Sequence, residues 1–522
     1  MEPTLFMYVA GTIAVAMLIW DTIEVGRNDA ANIVNAVFGA RVLRRRTAVY
    51  IAGAAVILGA CASSPVMETA RKGIFAPELL SLHNALSVYL GVYLTDTVLL
   101  YSFSAFGMPI STTAGLVFSL LGGGLALGGI EAVHWGKTTE VITAIVCSIA
   151  ITGVASFVIQ RLFRTVIGEE CEDPKQVHKH GAWIGGLILM GLVYFILIKG
   201  MKNVAYIKTL RANTFDVWGV FWVLIVLWVT FAIVVKVILL MGKDRVAQKL
   251  FAGLAIAGML AIAFAFGQND LCNSASPGVA SWLILQHGEV AHSIPVPWWL
   301  LLSCGVLLFL GMTTRNAQRV TRAEANTGSQ GDVVRLYAPK WCIALARFIM
   351  PHRDHHKVLA PEAHLTEKQK FQHYDGLRAA VITSVSGSVI AFASGLGLPV
   401  STTYVAFAAV VASGYGDRVF IRGDAHLKLG RTIWVIFGWF LSACLAALAT
   451  ATFAKTISLA GTVGIFLCLA VNLTVRHVMK KRADAQEERL IREATERKKM
   501  VLGEHHDHHK TLSATEHDDD EM

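Results

Sequence analysis

The sequence predicts an all-α polytopic membrane protein built from two inverted-topology repeats. Three observations predict it: apolar runs of bilayer length, two pairs of matching polar motifs, and a reversal of charge around one of those pairs. Of 522 residues, 54% are hydrophobic and 16% charged, with mean hydropathy +0.54. Soluble domains carry about 25% charge. Runs near the ~20 residues that cross a bilayer recur along the chain, among them Val217–Val235, Phe251–Phe266, Pro297–Met312 and Ile433–Phe453. Counted in this way the chain predicts about 12 spans, with helix breaks or hairpins at the midplane. The first run starts near Phe6 and no Lys or Arg precedes Arg27, so it reads as a span rather than a cleaved signal peptide. Eight cysteines sit singly, which excludes a Cys-x-x-Cys metal or redox motif. The net charge of +9 fits basic cytoplasmic loops and not a nucleic-acid footprint.

The repeat is visible in the motifs. Gly26-Arg27-Asn28-Asp29-Ala30-Ala31-Asn32 matches Gly267-Gln268-Asn269-Asp270-Leu271-Cys272-Asn273, at an offset of 267 − 26 = 241. Gly107-Met108-Pro109-Ile110-Ser111-Thr112-Thr113 matches Gly397-Leu398-Pro399-Val400-Ser401-Thr402-Thr403, at 397 − 107 = 290. A polar insertion at about 315–374 accounts for the difference. Residues 1–165 form the first repeat, 166–246 linking spans, and 247–475 the second repeat with a polar loop at 315–375. Residues 476–522 form a polar tail, helical to about Lys499 and disordered beyond it. Within the loop, 341–350 reads as a short helix on the membrane surface.

Charge sets the expected orientation. Arg41, Arg44, Arg45 and Arg46 follow the first Asn-Asp motif, whereas Lys243, Arg245 and Lys249 precede the second. Basic loops prefer the cytoplasm. The first Asn-Asp helix therefore runs outside to inside and the second inside to outside, a design used by secondary transporters. This places the N-terminus outside, and the loop and tail inside.

The motif residues suit ion chemistry. Carboxylates and amides at membrane depth are costly and rarely lack a function. Asp29, Asn32, Asp270 and Asn273 offer oxygen ligands of the kind hard cations such as Na⁺ take. Gly26 and Gly267 weaken the helix just before them, so that unwound carbonyls add ligands. Pro109 and Pro399 favour new helix starts, at which Ser111, Thr112, Thr113, Ser401, Thr402 and Thr403 offer caps and hydroxyls. Two such positive helix termini, with Asn28 and Asn269, could clasp a small tetrahedral anion. A single Asn-Asp or Pro-x-Ser-Thr-Thr is usually a cap or turn. Two ordered copies of both are harder to account for in that way.

At these residues the sequence resembles the inorganic phosphate transporter (PiT) family of cation–phosphate symporters. The segment Met67-Glu68-Thr69-Ala70-Arg71-Lys72-Gly73-Ile74 also looks like that family. The resemblance covers most of 8–165 and 248–475. It implies a homodimer in the plasma (inner) membrane that imports inorganic phosphate with Na⁺ or H⁺ by alternating access. Phosphate would meet Asn28, Asn269 and the two Ser-Thr-Thr triplets, while Asp29, Asn32, Asp270 and Asn273 serve the cation. No enzymatic cofactor is implied. The chain departs from the family at Arg27, Gln268, Leu271, Cys272, Ala114 and Tyr404, and at Val56, where an acid is common.

Asp21, Glu24 and Asp96 lie in apolar surroundings. Asp96 and Glu24 are candidate coupling acids, the latter in place of Val56, although Thr95 and Thr97 hydroxyls would also satisfy Asp96. Arg27 either meets the anion or reaches the interface. The histidine groups at 352–356 and 505–509 suggest metal less than they suggest solvated chain. Gly122-Gly123-Gly124 and Gly128-Gly129 read as close helix packing. Three other functions compete: a symporter for another oxyanion such as sulfate, an intramembrane hydrolase using Ser111 or Ser401, and a sensor without flux. The hydrolase is disfavoured because no His follows either serine to act as base.

Overall fold

The structure, a computed structural model, describes residues 5–518 except 64–65, 68–72, 169, 203, 289–295, 330–335, 351–372 and 422–423. Among the described residues it is all-helical. The first half holds α1 (Leu5–Gly39), α2 (Arg45–Ala60), α3 (Leu82–Ala105), α4 (Thr112–Gly128) and α5 (Trp135–Ile167). The linking region holds α6 (Pro174–Leu192), which continues as a π-helical stretch to Gly200, then α7 (Ala205–Asn213) and α8 (Val220–Ala247). The second half holds α9 (Leu250–His287), α10 (Trp298–Met312), α11 (Arg315–Thr327), α12 (Lys340–Ile349), α13 (Gly376–Gly395), α14 (Thr402–Gly416) and α15 (Ala425–Asp518).

Eight helices are long and apolar enough to span a membrane, or nine if α10 and α11, bent by 67°, form one span. The count of about 12 is thus not reached by length and composition. Two features lower it. α4 is shorter than a full span, and α15 joins two helical segments across a kink at Gly461 (φ +56) that count here as one. α5 and α8 present Val154, Phe157, Val226, Val229 and Ile233 to the outside. An apolar outer surface of this size needs lipid, not water. The chain is an integral, multi-pass membrane protein.

Two expectations change. The Asn-Asp motifs do not sit at helix breaks, since α1 and α9 run unbroken through them. The glycines show why. A Cβ on Gly26 would lie 2.0 Å from the Leu308 carbonyl oxygen, and one on Gly267 would lie 2.1 Å from that of Val56. In the same way Gly311 abuts Ile23 and Gly59 abuts Phe264. These glycines let α1 press on α10 and α9 press on α2, the small-residue packing that membrane helices use in place of a hydrophobic driving force. The chain breaks lie instead between α3 and α4 and between α13 and α14. The tail also differs, because α15 continues past Lys499 to Asp518. Residues 477–518 contain no proline, so nothing in the backbone forces the helix to stop.

α1 and α9 lie side by side and antiparallel. Gly11 meets Leu285, Leu18 meets Gly278 and Thr22 donates to Ser274 (3.2 Å). The loop after α12 returns to this core through His373 and Tyr374. The His373 amide donates to the Gly39 carbonyl (2.8 Å), and the Tyr374 hydroxyl donates to Asn35 Oδ1 (3.0 Å). The expected surface helix is α12, which exposes Leu345, Phe348 and Ile349 and packs Trp341 against Trp434 and Phe437. His352, His355 and His356 lie outside the described residues.

Packing and burial each lead to a test. Gly26→Ala and Gly267→Ala push a methyl into a backbone carbonyl and should each destabilise by roughly 1–3 kcal/mol. Gly253→Ala in α9, whose Cβ would meet nothing within 4 Å, should not. Thermal unfolding in detergent measures both. Burial, with the Arg41 and Lys428 charges nearby, pushes His373 down to about 4 from 6.5. A depressed histidine favours the neutral folded form. Its contribution is present above about pH 6.5 and is lost as pH falls toward 4, so His373→Gln should flatten the stability–pH curve in that window.

Candidate functional site

The four motifs converge. Ser111 caps α4 by accepting from the Ala114 amide (2.9 Å), and Ser401 caps α14 by accepting from the Tyr404 amide (3.1 Å). Both helix starts lie against α1 and α9. Asn28 Nδ2 donates to the Ile110 carbonyl (2.7 Å), and Asn269 Nδ2 donates to the Val400 carbonyl (2.6 Å). Each asparagine thereby fastens its helix to the break in its own half.

The threonines cross over. Asn32 Nδ2 donates to Thr403 Oγ1 (3.0 Å), and Thr403 donates to Asp29 Oδ1 (2.8 Å). Asn273 Nδ2 donates to Thr113 Oγ1 (2.9 Å), and Thr113 bonds the Val400 carbonyl (2.9 Å). One hydroxyl joins the two acids: Thr112 Oγ1 lies 3.2 Å from Asp29 Oδ2 and 3.0 Å from Asp270 Oδ1. Thr402 lies beside Asp270.

Asp29 also accepts from Asn28 (2.8 Å) and Asn32 (2.9 Å), and Asp270 from Asn269 (3.3 Å) and Asn273 (2.9 Å). All of these side chains are buried. The donors that reach the two carboxylates are amides and hydroxyls, and no Lys, Arg or His is bonded to them among the described residues. Dipoles alone compensate a buried carboxylate incompletely. The arrangement suits a hard cation on the carboxylate oxygens and an oxyanion on the hydroxyls and helix N-termini.

Two polar residues outside the motifs complete the network. Ser104 donates to Asn28 Oδ1 (3.1 Å) and Ser394 to Asn269 Oδ1 (3.4 Å). They obey the same offset, 394 − 104 = 290, which is the one sign of them in the sequence. The coupling-acid candidates separate. Glu24 pairs with Arg27 (2.7 Å) and Arg476 (2.6 Å) and accepts from Trp20 (3.2 Å). Two guanidiniums compensate its charge. Arg27 donates to Glu24 and Thr314, so it is committed away from the Asp29–Asp270 pair. Asp96 is not held by Thr95 or Thr97, which bond Thr450 and Asn472 instead. It lies beside Ser119, next to Gly115. Val56, at the position where an acid is common, is buried and its carbonyl faces Gly267.

These features define a polytopic helical membrane protein with a buried, dipole-lined polar site. The chain belongs to the phosphate transporter family, whose family model matches residues 25–327, which makes it a transporter and not an enzyme. It is 26% identical over 444 residues to a provisionally named phosphate permease of Pyrococcus abyssi, covering 84% of this chain and 95% of the relative. A similarly named protein of Thermococcus kodakarensis is 25% identical with the same coverage. One of Helicobacter pylori J99 is 23% identical over 75% of this chain and 66% of its own. A solved structure described as the sodium-dependent phosphate transporter superposes with TM-score 0.65 at 21% identity, covering 87% of this chain and all of that one.

Removing the shared hydroxyl with Thr112→Val deprives both buried carboxylates of a donor. It should destabilise the protein by roughly 1–3 kcal/mol. Ser401→Ala loses one cap and should cost about 1 kcal/mol. Thermal melts of the purified variants rank the two.

Proposed function

We propose that the chain is a secondary active symporter that imports inorganic phosphate with Na⁺ or H⁺ by alternating access. The observation that carries the reading is the crossed network, in which Thr112 contacts both Asp29 and Asp270 while Asn32 and Asn273 each reach the other half's threonines. In this reading Asp29, Asn32, Asp270 and Asn273 hold the cation. Asn28, Asn269 and the Ser111–Thr113 and Ser401–Thr403 triplets hold the phosphate. The bound cation offsets the anion's charge, so that neither crosses alone.

The antiparallel course of α1 and α9 supports two inverted repeats, 1–165 and 247–475, joined by the spans of 166–246 and followed by the tail. The reciprocal glycine contacts support the same reading. Ile23 and Gly26 correspond to Phe264 and Gly267 at the offset of 241, and Val56 and Gly59 to Leu308 and Gly311 at 308 − 56 = 252. The full burial of the site supports a state closed to both sides, from which one half moves against the other. The named sodium dependence of the solved relative favours Na⁺. Basic loops favour a plasma-membrane orientation with the N-terminus outside and residues 315–375 and the tail inside. The exposed apolar flanks are compatible with a homodimer in lipid.

Proteoliposomes with imposed Na⁺ or pH gradients test the reading. Phosphate should accumulate with the gradient, and excess sulfate should not compete. Competition by sulfate would reassign the anion. Asp29→Asn and Asp270→Asn should each abolish uptake, and full activity in both variants would overturn the site assignment.

A further inference from the structure

Asp21 stands apart from the site described above. It lies eight residues before Asp29 on α1, about 12 Å along the helix axis. Its side chain is fully buried, and neither carboxylate oxygen has a hydrogen-bond partner among the described residues. Every charged group whose field reaches it can be named. Glu24 shares its helix, Asp96 comes from α3 and Arg476 from α15. Tyr93 on α3 also interacts with Asp21, and the Cys304 thiol of α10 with Tyr93.

None of these is bonded to Asp21. Arg476 spends its guanidinium on Glu24 (2.6 Å) and the Thr97 carbonyl (2.7 Å). The Tyr93 hydroxyl donates to the Ser274 carbonyl (2.7 Å), and Thr22 bonds Leu18 and Ser274. Asp96 is a second carboxylate, itself buried against Gly115 and Ser119 of α4. Two acids therefore face each other's fields at membrane depth, one of them with no partner. A bare carboxylate in that setting is strongly unfavourable unless a cation joins it. The scaffold does not require it, since the positions related by the two offsets are Ile262 and Ser386.

We propose that Asp21 is a proton-binding site that adds a proton to the transported load, separate from the Asp29–Asp270 pair. A proton fits better than Na⁺. A metal cation needs several oxygens around it, and the Thr22 and Tyr93 hydroxyls near Asp21 already donate to backbone carbonyls. A proton needs one carboxylate oxygen. The proton comes from water on the side to which the site opens and leaves on the other. This inference rests on the transport reading, and the experiment separates the two.

Phosphate uptake is measured in proteoliposomes of the full chain under an inward pH gradient without Na⁺, and under a Na⁺ gradient at symmetric pH. Wild type should respond to the pH gradient. Asp21→Asn should lose that stimulation and keep Na⁺-driven uptake, whereas Asp21→Glu should keep both. Unchanged pH-gradient stimulation in Asp21→Asn, or none in wild type that takes up phosphate with Na⁺, overturns the proposal. No uptake under either gradient overturns the transport reading instead. Infrared titration of the purified protein in lipid then decides the proton site alone. A protonated-carboxyl band should be present in wild type, shifted in Asp21→Glu and absent in Asp21→Asn, and its persistence in Asp21→Asn refutes the assignment.

Discussion

Two carboxylates sharing one threonine hydroxyl, inside a bundle with no charged side chain bonded to them, constrain much of this structure. Asp29 and Asp270 are both fully buried. Their burial is tolerable only where the surrounding dipoles are aimed with care. The asparagines before and after each acid, the threonines of the opposite half and the helix starts at Ser111 and Ser401 all serve that purpose. Each donor is held by a second bond, so the geometry is stiff without being charged.

Packing makes that geometry attainable. For the acids to lie within reach of one hydroxyl, α1 and α9 must approach their neighbours closely. Gly26 and Gly267 touch backbone carbonyls of α10 and α2, contacts that any side chain would block. The helices remain continuous because their ligands come from side chains. The free N–H groups come from the interruptions before α4 and α14. Carboxylates, amides and hydroxyls are thus supplied by different elements that meet at one place.

Charge compensation elsewhere follows a different rule. Glu24 sits between Arg27 and Arg476, with Arg476 stacked over Trp20 and Tyr101. Arg378 is buried yet donates to Ser413 and the Gly328 and Val410 carbonyls. Arg164 pairs with Asp375 and Asp417. These groups have fixed partners and act as structural ties. Asp29, Asp270 and Asp21 have none of opposite charge bonded to them among the described residues, a property they share with Asp96 and Glu324.

Much of the site was legible in the residues themselves. The duplicated Asn-Asp and Pro-x-Ser-Thr-Thr motifs named every acid, amide and threonine of the network, because an ionisable group in an apolar run is too costly to keep without a use. The serine caps were legible too, since proline followed by serine leaves a helix little choice of start. What one dimension could not hold was the pairing. That Thr403 serves Asp29 and Thr112 bridges both halves depends on how four helix segments cross. The glycines looked like breaks because flexibility is local, whereas close packing depends on a partner distant in sequence. Glu24 and Asp21 looked alike as isolated acids. Only the tertiary structure brought Arg476 to Glu24 and left Asp21 without a hydrogen-bond partner among the described residues, and that difference separates a tied acid from an unpartnered one.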